Sequence, residues 1–177
     1  MRRAATWVAL VALASLPRAA VAQLCTATLN VGGAGNCSVN TTAGLTIGTV
    51  ANLTLSAIST VLTPPADTDY VLGFVRSAGP SATIKANTTW TLQISATGTF
   101  WTASAGAWAT KPIGQLQWST TALAGPYTSV TNTAATIKTG AATASSAVSV
   151  FYQTLYAYST DLPGNYSVAV TFTLVSP

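Results

Sequence analysis

The chain has 177 residues, of which 49% are hydrophobic and only 6% charged, with seven basic residues against three acidic ones and no histidine. So apolar and uncharged a composition argues against disorder, because there is surface to bury against chain entropy. It also excludes chemistry: without histidine no Ser-His or Cys-His machinery can be assembled.

The first 22 residues read as a signal peptide. Arg2 and Arg3 form a positive start, an apolar run covers 4–16, and Ala20-Val21-Ala22 supplies the small-x-small cleavage pattern. The run is broken at Pro17 and Arg18, short of the ~20 apolar residues a spanning helix needs, so no transmembrane segment is expected in the mature chain. Export places the protein in the periplasm, at the cell surface or outside the cell. Residues 23–177 then make one domain of about 155 residues. Arg2, Arg3 and Arg18 leave with the signal, so Arg76, Lys85, Lys111 and Lys138 face Asp67, Asp69 and Asp161, one positive charge in excess. Four scattered cations make no basic face, which excludes nucleic acid as a partner. So few charges do little to keep copies apart, and self-association fits the composition.

Cys25 and Cys37 are the only cysteines, and in an exported chain such a pair reads as a disulfide closed over the Gly32-Gly33-Ala34-Gly35-Asn36 turn. Cys25 falls three residues into the expected mature chain. That leaves no N-terminal arm for assembly by strand donation.

Beyond the cysteines no helical periodicity is expected, and strand signals recur between Gly, Pro, Asn and Ser clusters. The expected strands are 24–31, 37–42, 45–49, 52–58, 70–76, 82–86, 89–97, 116–120, 128–132, 135–138, 148–158 and 165–176. Two alternate cleanly. Trp90, Leu92, Ile94 and Ala96 share one face of 89–97, and Tyr166, Val168, Val170, Phe172 and Leu174 share one face of 165–176. Turns are expected at Pro64-Pro65-Ala66-Asp67, Ala78-Gly79-Pro80, Ala124-Gly125-Pro126 and Leu162-Pro163-Gly164-Asn165, and 139–146 reads as a mobile loop. About nine short strands at this spacing predict an all-β protein, a single Ig-like or Greek-key sandwich.

Candidate sites are few. Asp67 and Asp69 beside the Pro-Pro turn are too few for a calcium cage of six to eight oxygens, and nothing marks a Ser-Lys dyad at Lys85, Lys111 or Lys138. No catalytic residue, metal or cofactor is expected, so the protein is read as a non-enzyme that acts by contact and whose activity should survive loss of all three carboxylates. Trp101, Trp108, Trp118, Tyr156 and Tyr158 are the candidate ligand or partner contacts, rings that stack on sugars if they form an exposed row.

Thr89-Trp90-Thr91-Leu92, and Tyr166 followed by Thr171-Phe172-Thr173-Leu174 and Pro177, resemble the paired Trp-x-Leu motifs of WxL domains, with Phe172 at the place of the second tryptophan. Gly164-Asn165-Tyr166-Ser167-Val168 is similar to the final strand of spore coat protein U-like and pilin-like subunits. The resemblance implies a bacterial surface β-sandwich in which Trp90, Leu92, Tyr166, Phe172 and Leu174 are structural. It implies adhesion or assembly with itself or other surface proteins in a layer, coat or fibre; binding to glycan or peptidoglycan is the alternative. Exported protein should begin at Gln23 and carry the Cys25–Cys37 bridge, two hydrogens lighter by intact mass than its reduced form; two free thiols would refute the bridge.

Overall fold

A computed structural model describes residues 42–122 and 125–177. The expected signal peptide, the Cys25–Cys37 bridge and the strands at 24–31 and 37–42 lie outside the described residues, 42 excepted. The chain divides into two units, Met1–Thr46 and Ile47–Pro177, and the fold is that of the second.

Ile47–Pro177 is an all-β sandwich with antiparallel pairing throughout. Its strands are β1 (Ala51–Leu55), β2 (Phe74–Ala86), β3 (Trp90–Ala96), β4 (Thr102–Ala103), β5 (Leu116–Ser119), β6 (Thr128–Ser129), β7 (Ala135–Gly140), β8 (Thr143–Leu155), β9 (Tyr166–Ser167) and β10 (Val170–Val175). One sheet runs β1-β2-β8-β5-β6, the facing sheet β10-β3-β7, and β4 pairs with β9 beside them. Ten strands are present among the described residues where about nine were expected, because short pairs such as β4–β9 carry too few residues to show a period.

The two clean alternations hold. Trp90, Leu92, Ile94 and Ala96 are all buried, and Phe172 and Leu174 of β10 lie opposite Ile94 and Leu92 of β3. Trp90 and Phe172 meet in one cluster with Ile84 and Val148 of the facing sheet. The alternation runs on through Val168 and Ala169, but the partner changes there from β4 to β3, so the expected strand 165–176 is two strands, β9 and β10. The Trp90 ring lies across its cross-strand partner Gly140, where a Cβ would come within 2.3 Å of the indole. Its Nε1 donates to the Ala141 carbonyl at 2.8 Å.

Four expectations are corrected. Residues 70–72 belong to a helix, α1 (Asp67–Leu72), not a strand. The Asp69 carboxylate accepts the Ala66 N–H at its start, and Gly73 ends it at φ 78° with its N–H on the Asp69 carbonyl. Caps at both ends override the strand preference of Tyr70 and Val71. Residues 45–49 form no strand. Ala78-Gly79-Pro80 is a bulge inside β2 rather than a turn, so the expected strands 70–76 and 82–86 are parts of one long element. Residues 139–146 are not a loop: β7 runs to Gly140 and β8 starts at Thr143, its small polar residues held by backbone pairing with β2. Strand preference yields to the partner strand there.

Trp90→Ala should cost ~3–5 kcal/mol, and Phe172→Ala less because its ring is only half-buried. Gly140→Ala should cost ~1–3 kcal/mol by displacing the Trp90 indole. Urea melts of the three variants measure this, and a loss under ~0.5 kcal/mol for Trp90→Ala would contradict the packing.

Candidate functional site

The aromatic side chains singled out in the sequence do not form an exposed row. Trp101 and Trp118 are 4% and 9% exposed and belong to the core with Leu116, Val150 and Tyr152. Trp108 and Tyr156 are half-buried, and only Tyr158 is exposed, at 60%. Only Trp118 lies on a strand; Trp101, Trp108, Tyr156 and Tyr158 lie in loops, and the expected strand 148–158 ends at Leu155 as part of β8. Trp101 and Trp118 lie inside because burying a ring removes a large apolar area from water.

Three of these rings surround a lysine instead. Lys111 sits in the loop between β4 and β5 and is 1% exposed. Its ammonium nitrogen lies 4.9 Å from the ring centre of Tyr156, 5.7 Å from those of Trp108 and Tyr166, and 5.9 Å from that of Trp101. An ammonium facing ring planes at this range is attracted by their negative faces. Its hydrogens go to the Gln115 Oε1 at 2.7 Å, the Leu155 carbonyl at 3.1 Å and the Asp161 carboxylate. That exhausts the three donors of a lysine. Asp161 is 7% exposed; its Oδ1 takes Lys111, and its Oδ2 accepts the Ala157 N–H at 2.8 Å.

Each wall of this cage is pinned by the chain around it. The Trp101 N–H donates to the Lys111 carbonyl at 2.8 Å, and the Trp101 Nε1 to the Pro112 carbonyl at 3.1 Å. The Tyr166 hydroxyl donates to the Leu162 carbonyl at 2.6 Å and accepts the Trp108 N–H at 3.0 Å. Burial pushes the Lys111 ammonium below the usual lysine range, and the hydrogen bond and charge of Asp161 push back. Asp161 is therefore a structural carboxylate. Asp67 and Asp69 are different: Asp69 caps α1, and Asp67 accepts the hydroxyl of Tyr158, whose ring stacks on Tyr70 at 4.7 Å.

The second feature is an open cleft of about 850 Å³. One wall is the stretch 56–65 that follows β1, the other is Val168, Val170 and Phe172 at the start of β10, and Tyr152 and Leu116 form its floor. β1 and β10 are edge strands of the two facing sheets. Neither carries a charge or a proline, the usual guards of an exposed edge. On the cleft's outer rim Ile58 and Val61 are fully or almost fully exposed. The sequence offered one signal for this seam, the uncharged alternation of 165–176. It offered none for Lys111, whose partners come from four separate segments.

Asp161→Ala should destabilise the fold by at least ~3 kcal/mol, because it strands a buried ammonium, while Asp67→Ala at the surface should cost under ~1 kcal/mol. Chemical denaturation of both variants measures the difference, and equal small losses would contradict a structural role for Asp161.

Among the described residues no group of three His, Cys, Asp or Glu side chains converges on a point, and no helix is long and apolar enough to cross a membrane. No family model matches the chain, and no curated protein matches it.

Proposed function

We propose that this protein is a non-catalytic structural subunit of an exported surface assembly, joined to neighbouring subunits along the seam between β1 and β10. The observation that carries this reading is the pairing of an open cleft, apolar along its Val168, Val170 and Phe172 wall, with an unguarded edge strand beside it. β10 pairs with β3 on one side only, so its other side offers backbone donors and acceptors to an added strand. The half-buried Val168, Val170 and Phe172 beside it offer pockets for that strand's alternate side chains. Ile47 and Val50, 76% and 63% exposed ahead of β1, add to the apolar surface that a neighbour would cover. Low charge and the expected signal peptide agree with this role, as does the likeness of the C-terminal strand to coat-protein-U-like and pilin-like subunits. Glycan binding has less support: it relied on Trp101, Trp108 and Trp118 as an exposed row, and two of the three are in the core.

Val168→Lys places a charge in the cleft wall at a half-buried position outside any strand. Sedimentation of the mature wild type should show concentration-dependent self-association, weakened at least tenfold in Val168→Lys with its melting curve little changed. A wild type that stays monomeric at every concentration, or a variant that associates equally well, would refute the role of the seam.

A further inference from the structure

We propose that Lys111 and Asp161 are the two halves of an intramolecular isopeptide cross-link, formed within the folded chain. An amine and a carboxyl group are held here in contact, both almost fully buried and walled by four aromatic rings, and Asp161 with Trp101, Tyr156 and Tyr166 borders the open cleft, by which the released water can leave. Such proximity replaces a bimolecular encounter by a fixed one. Burial favours the neutral amine, the form that can attack.

The groups around the pair are arranged for condensation. The Lys111 ammonium passes one proton to Asp161 Oδ1, giving a neutral amine and a neutral acid, and Nζ attacks Cγ. The second proton of Nζ goes to the departing Oδ1 hydroxyl, the Cγ–Oδ1 bond breaks, and one water leaves. Asp161 Oδ2 stays as the amide carbonyl and keeps the Ala157 N–H it already accepts, which steadies negative charge on that oxygen during attack. The one hydrogen left on Nζ has the Gln115 Oε1 and the Leu155 carbonyl as acceptors. Two charges disappear from a site that disfavours them, so product and surroundings match better than the ion pair did. No outside oxidant or co-reactant is needed.

The bond would join the loop before β5 to the loop after β8, across 50 residues of sequence. In a surface protein it would hold the caged end of the sandwich closed under load.

The test is the mass of the exported protein, taken after reduction. Trypsin should cut after Arg76, Lys85 and Lys138, while Lys111 is followed by Pro112 and resists. Peptides 86–138 and 139–177 should then remain joined, together one water lighter than their separate masses, with fragmentation placing the bond between Lys111 and Asp161. In Lys111→Met the two peptides should separate at full mass. Should that variant fail to fold, the wild-type digest decides alone. Separate peptides of full mass from the wild type, or a water loss that maps to any other pair, would overturn the proposal.

Discussion

The Lys111–Asp161 pair is the interaction on which the rest of the described fold depends. A charge taken out of water costs several kcal/mol unless every hydrogen and lone pair is answered. This chain answers them with groups drawn from the β4–β5 loop, the end of β8, the loop that follows it, and β9. The lysine therefore works as a peg. Four rings close around it, and the segments that carry those rings have little freedom left. The two-residue pair β4–β9 is far too short to hold itself together, and it survives because Tyr166 and Trp108 are fixed to the cage.

That arrangement gives the sandwich two unlike parts. Around the cage, side chains and backbone are tied in a closed network. Along the β1–β10 seam the sheets present bare edges, and the stretch 56–65 covers the gap only in part, with Leu62 turned to the core and Val61 to solvent. Two of the seven charged side chains in 23–177 go to one buried pair, and none of the other five lies on β1 or β10. The same composition thus accounts for both a firm interior and an adhesive flank, and the proposed assembly role uses the second.

Much of the fold was legible because half-buried strands write their burial as a period of two. The alternation at 89–97 became β3 within a residue at either end, and that of 165–176 correctly named every inward side chain even though the strand is broken. Other elements were hidden for physical reasons. The caps of α1 act over a single turn, too short for a helical period, and Pro64-Pro65 disguised its start as an ordinary turn. The first half of β8 is Ala, Ser and Thr, and only its long-range pairing with β2 makes it a strand. The aromatic contacts were misplaced because Trp101, Trp108, Tyr156 and Tyr158 lie in loops, where no period of two tells an inward side chain from an outward one. The caged lysine was illegible: Trp101, Lys111, Tyr156, Asp161 and Tyr166 have no common spacing, and tertiary structure alone brings them together.

The central claim, that Lys111 is locked in an aromatic cage against Asp161, is tested most directly by nitrogen-detected NMR of the lysine side chains. Lys85 and Lys138 serve as references in the same spectrum, since both are exposed. The Lys111 Nζ should give its own signal, with hydrogens protected from exchange with water and shifted upfield by the surrounding rings, whether nitrogen is ammonium or amide. A Lys111 signal with the exchange and shift of Lys85 and Lys138 would contradict the cage, and with it the account of what holds this fold together.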